Sequence, residues 1–292
     1  IFNKLDIMTI VIFLSAFIFR SFFIFKYKWF GSDTFRNFRH AKEIKSVGNI
    51  PNQSPQLIGD INYGFPPLLP YLLSFIDKKY YQISQYLSPI FDILSAILGY
   101  LFIFKITNSP DVAIIASSIY LFSPLLIYQS VSLNTRQPAN FFSILSIYFL
   151  YQVFNSPDQN ILILNFLLSS ITASIVPLLN RVTLQSLYAT ILASSLFFKS
   201  FLPIAVIIFS IIISIIITKK YILKCFVEHF RIIKAHFDVP SDSYSPIKLI
   251  ASIIKWFPFI IFFPFLIINL EFTQLEIFLF VWFISILLLS VF

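Results

Sequence analysis

Long apolar segments follow one another along this chain so closely that little remains from which to build a water-soluble core. About 20 mostly apolar residues suffice to cross a bilayer's hydrocarbon layer as one helix. Candidate stretches occur at 6–25, 83–104, 111–129, 138–154, 160–178, 182–198, 201–218, 249–269 and 275–292. Hydrophobic residues make up 58% of the chain, against roughly 45–50% in soluble domains. The reading is an all-α, polytopic membrane protein with about nine transmembrane helices. The first stretch is longer than a signal-peptide core and lacks a small-residue cleavage site, so it reads as a span. The pair 160–178 and 182–198 also admits a hairpin that enters without two full crossings, with Asn180 and Arg181 at its turn. The chain starts at Ile1 and stops at Phe292 inside an apolar run, as expected of a piece lacking a C-terminal portion. One cysteine, Cys225, leaves no internal disulfide, and His40, His229 and His236 are too dispersed for a zinc motif.

Two polar segments interrupt the apolar series, 26–82 and 219–248. Charged residues make up only 12% of the chain, yet "GSDTFRNFRHAKEIKSVGNIP" (31–51) gathers acids, arginines, lysines and a histidine just beyond the first span. Asp33 is placed to cap a helix, Gly48 to end it, and Pro51 follows. Phe35, Phe38, Ala41 and Ile44 recur every three residues, while Arg36, His40 and Glu43 share another face. This predicts an amphipathic helix lying in the membrane interface. "YGFPPLLPYLLSFI" (63–76) is too short to span and reads as a prolyl turn feeding a short interfacial helix. In the second polar segment, "KKYILKCFVEHFRIIK" is a basic amphipathic stretch, and Pro240 to Pro246 reads as a loop. Glu228, His229 and Arg231 read as a helical surface face.

Asp33 has two readings, a helix cap or a carboxylate doing chemistry at the membrane surface, and one does not preclude the other. Arginines follow it at the mouth of an apolar bundle, which suits an anionic phosphate. Asp92 lies within the second span, where a charge is costly unless a basic residue or a hydroxyl pairs with it. Arg136, in "SLNTRQP", reads either as a snorkelling interfacial arginine or as a phosphate ligand. Arg181, in "LLNRVTL", reads as a turn-capping residue or a phosphate or sugar contact.

The run Asp33, Phe35, Asn37, Phe38 and Arg39, then "AKEIKSVGNIP" and "GFPPLLPYLL", resembles the first external loop of the GT-C class of membrane glycosyltransferases. The likeness is closest to the catalytic subunit of oligosaccharyltransferase, is specific over about 31–76, and extends to the rest of the chain only in the order of spans. It implies a GT-C-like transmembrane domain over 1–292, with 26–82 as the first extracytoplasmic loop and 219–248 as a later one. It also implies transfer of a sugar or glycan from a polyprenyl-phosphate or -diphosphate donor to a glycan, lipid or protein acceptor, outside the cytoplasm, with membrane lipids and not nucleic acid as partners. Asp33 would be the catalytic base, or the ligand of a divalent cation (Mg or Mn). Arg136 and Arg181 would hold the donor phosphate, and Arg36, Asn37, Arg39, His40 and Glu43 would shape the pocket and its acceptor side. The chain departs from the pattern at "SVSLNTRQPANFF" (130–142), where the oligosaccharyltransferase carries acids and this sequence has none. Two rivals stay open, a transporter or flippase of polyprenyl-linked glycans and a non-catalytic GT-C-like scaffold. The positive-inside rule would put the basic polar segments in the cytoplasm. The resemblance puts them outside, and that orientation is followed here.

Overall fold

In the computed structural model, residues 7–28, 31–51, 66–219 and 221–238 are described. Among them the chain is helical, with no strand. In order the helices are α1 (Ile7–Tyr27), α2 (Ser32–Val47), α3 (Leu68–Ser74), α4 (Tyr81–Ser84), α5 (Leu87–Thr107) and α6 (Pro110–Leu121). They continue with α7 (Pro124–Ser130), α8 (Arg136–Asn155), α9 (Gln159–Leu179), α10 (Arg181–Phe197), α11 (Leu202–Thr218) and α12 (Tyr221–Asp238). A 3-10 turn, Lys78–Tyr80, leads into α4.

Among the described residues, three helical stretches are long and apolar enough to cross a membrane: Ile7–Tyr27, Lys78–Thr107 and Gln159–Leu179. Two bent pairs, α6 with α7 (60°) and α11 with the start of α12 (117°), raise the number to five if each pair is one span. The expected segments 249–269 and 275–292 lie outside the described residues, as does the loop at 240–246. The stretch 111–129 is not one helix. It breaks at Phe122 and Ser123, because Pro124 has no N–H to continue the ladder and starts α7 instead. A single intervening residue, Asn180, separates α9 from α10, so the turn expected there is present.

Packing is closest where small side chains let helices approach. Ser146 of α8 and Ser169 of α9 each donate their hydroxyl to the other's carbonyl, at 3.0 and 2.9 Å. Ser214 of α11 donates to the Ser174 carbonyl of α9 at 2.8 Å. Without a hydrophobic drive between helices in lipid, such bonds and close contacts hold a bundle together. The main core runs through Leu150, Ala173, Val176, Leu187 and Ile191. A second cluster, Phe13, Ala16, Ala96, Tyr100, Ala113 and Leu121, joins α1, α5 and α6. The outer face of α1 leaves Ile7, Val11, Leu14, Ile18 and Phe25 exposed, as a lipid-facing helix would.

α2 corrects two details of the sequence reading. Gly31, not Asp33, is the N-cap residue, with φ +80°, so Asp33 lies inside the first turn and its carboxylate makes no cap bond. Phe35 is 58% exposed, whereas Thr34, Asn37, Phe38, His40, Ala41 and Ile44 are buried. The helical period of 3.6 carries a three-residue repeat around the axis, so Phe35 rotates out while His40 rotates in. The C-terminus is as expected: Gly48 is left-handed and donates its N–H to the Ile44 carbonyl at 2.9 Å. α2 packs on α3, and Phe38 stacks on Tyr81 with centroids 4.3 Å apart.

Candidate functional site

The loop 131–135, between α7 and α8, is the hub to which α2 is fastened. Leu133 donates its N–H to Thr34 Oγ1 and accepts from Asn37 Nδ2, both at 2.8 Å. Asn134 donates its backbone N–H to Ser88 Oγ of α5 at 2.9 Å. Gly31 is required here twice over. A Cβ on it would lie 2.6 Å from Ser132 Cβ, and its positive φ strains any other residue.

This docking brings three helix N-termini to one place. Asn134 donates its amide to Asp33 Oδ2 at 2.8 Å and accepts the Arg136 N–H at the start of α8 at 2.9 Å. Asn180 caps α10 by accepting from the N–H groups of Val182 and Thr183, and it donates to Thr135 Oγ1 at 3.3 Å. Two asparagines therefore link the starts of α2, α8 and α10. Between these ends lies a cleft of about 190 Å³ lined by Asp33, Arg36, Pro66, Asn134, Thr135, Arg136, Asn180, Arg181 and Val182.

The cleft is electropositive. It holds three guanidiniums and one carboxylate, a formal charge of +3 − 1 = +2, and the partial positive ends of three helices add to that. Asp33 Oδ1 pairs with Arg36 at 2.7 Å. Among the described residues no carboxylate lies within ion-pair distance of Arg136 or Arg181, and Arg181 Nε is buried without a protein acceptor. Burial pulls the Arg181 guanidinium below its ordinary value, opposed by Cys225, Tyr221 and Glu228; an arginine keeps its charge regardless. Glu228 is buried rather than part of a surface face, and it accepts from Arg231 at 2.9 Å.

The remaining expected site residues lie elsewhere on α2. Asn37 holds the Leu133 carbonyl behind the cleft. Arg39 points outward, 60% exposed and 3.6 Å from Glu43. His40 is buried against Glu43 at 3.2 Å; burial lowers its pKa, which Glu43 opposes while Arg36 and Arg39 reinforce it. Asn134, Thr135 and Asn180 were not assigned a role from sequence. Their signal was an asparagine one or two residues before an arginine, "NTR" and "NR", at the start of a helix.

A hard divalent cation takes about six oxygen ligands. Asp33 offers one carboxylate whose oxygens already receive Arg36 and Asn134, with three guanidiniums sharing the space. Among the described residues no group of three or more His, Cys, Asp or Glu is assembled. This donor set suits an anion better than a cation. No family model, curated protein or solved structure matches the chain.

Proposed function

We propose that the chain is a membrane glycosyltransferase of the GT-C kind. It would move a sugar or glycan from a polyprenyl-phosphate or -diphosphate donor to an acceptor on the extracytoplasmic side, using a bundle of about nine spans. The observation that carries this reading is the convergence of Asp33, Arg136 and Arg181, 148 residues apart at the extremes (181 − 33), on one cleft between three helix N-termini.

The chemistry follows from charge. The acceptor's O–H or N–H attacks the sugar's anomeric carbon, the bond from that carbon to the phosphate oxygen breaks, and the oxygen leaves with the electron pair. Arg136 and Arg181 would stabilise that anion with fixed donors, the contribution that most lowers such barriers. Asp33 accepts the acceptor's proton on a lone pair not used by Arg36 or Asn134. Arg36 and Asn134 keep the carboxylate oriented.

Sugar transfer from a lipid-linked donor, measured on purified protein, tests the reading. Asp33→Ala is expected to lower kcat by at least about 100-fold. Full activity in that variant would remove Asp33 from the reaction, and donor binding without turnover in the parent would assign a binding scaffold instead.

A further inference from the structure

A fully buried ion pair lies apart from the cleft. Arg20 of α1 and Asp92 of α5 are both fully buried, with Arg20 Nε 2.8 Å from Asp92 Oδ2. The same Nε lies 2.8 Å from Ser130 Oγ, Nη2 donates to the Leu121 carbonyl at 2.6 Å, and Nη1 donates to the Ala16 carbonyl at 3.2 Å. Tyr120 donates its hydroxyl to Asp92 Oδ1 at 2.9 Å. One guanidinium thus holds α1, α5, the end of α6 and the end of α7. A charge at this depth is costly and rare, and tends to be kept for function rather than for stability.

What the network grips is the bend that leads to the cleft. Leu121 ends α6 and Ser130 ends α7. The next five residues are the loop that carries Asn134 to Asp33. The far end of that loop is held by Ser88, one helical turn before Asp92 on α5. A single face of α5 therefore anchors both ends of the loop, Asn134 through Ser88 and Ser130 through the Arg20–Asp92 pair.

We propose that Arg20, with Asp92, is a positioning residue for the cleft: by holding Ser130 it sets the loop that presents Asn134 to the Asp33 carboxylate. The consequence for catalysis rests on the transferase reading; the hold on the loop does not. Ser130→Ala cuts the link and leaves the ion pair, and Arg20→Met with Asp92→Leu removes the pair without stranding a charge.

Hydrogen exchange of the intact protein in detergent or nanodiscs, read on a peptide spanning 131–136, decides the matter. In both variants that peptide is expected to exchange about 10-fold faster, while peptides of α8 and α9 stay as in the parent. In the transfer assay kcat falls about 10-fold and KM stays within about 2-fold, as for a group that acts through orientation. Unchanged exchange at 131–136 in both variants overturns the proposal. If the parent transfers no sugar, the exchange result still decides it, and only the transferase reading falls.

Discussion

Among the described residues two arginine–aspartate pairs form, and they are built in opposite ways. Arg20 and Asp92 have fully buried side chains, and each guanidinium nitrogen and each carboxylate oxygen has a protein partner. Arg36 and Asp33 have side chains 44% and 29% exposed and share an open cleft with two more guanidiniums. The first pair is enclosed by protein partners and acts as a joint between helices. The second belongs to a cluster with more cation than anion, an arrangement whose charge suits an anionic ligand. The residue types are the same; the supply of partners distinguishes a joint from a site.

The sharpest way to break this comparison is to remove half of the joint. Asp92→Leu leaves a buried guanidinium without its carboxylate and is expected to cost about 3–5 kcal/mol. The thermal midpoint in detergent should drop sharply and recover when Arg20→Met is added. A single variant as stable as the parent would mean that the pair is no joint.

Gly31→Ala tests the seam between joint and cleft. The strained φ and the clash with Ser132 are expected to cost about 1–3 kcal/mol, read from the same midpoint. Because the clash pushes α2 off the loop, the variant should also lose ligand affinity.

At the cleft the contrast reverses, and binding moves more than stability. Arg136→Gln and Arg181→Gln should each change stability by no more than about 0.5 kcal/mol. Each should weaken binding of inorganic pyrophosphate about 10-fold, or about 1.4 kcal/mol, by titration calorimetry. Arg39→Gln, on the outer face of α2, should leave that affinity unchanged.

The smallest effect expected is that of His40. Its pKa is lowered in the folded protein, chiefly by burial. Below the ordinary value of 6.5 the unfolded chain takes up a proton that the folded protein resists. Stability is therefore full above that pH and declines as the pH falls below it. His40→Asn should flatten the midpoint's dependence on pH between about 7.5 and 5; an equal slope in the variant would assign the effect to other groups.

The elements most legible in the sequence were those whose signals are local. The end of α2 at Gly48, the short helix α3 after two prolines, and the apolar helices α1 and α9 follow from chain chemistry alone. The start of α2 was misread because a strong capping residue, Asp33, stands two positions after a glycine that the loop at Ser132 forces into a positive φ. The bend at Ser123 was hidden inside a continuous apolar run, although Pro124 marked it. Arg20 was missed because one arginine vanishes in the average hydropathy of a long apolar helix.

By itself the sequence determined that the chain is helical and apolar enough to enter a membrane, and that its charges gather mostly in the polar segments between apolar stretches. Those properties depend on composition, on period and on residues a few positions apart. Tertiary structure alone decided that Asp33 meets Asn134 across 101 positions and that Arg20 meets Asp92 across 72. A charge in a low-dielectric interior is tolerable only beside its partner, and which partner that is depends on how the helices pack, not on the order of residues along the chain.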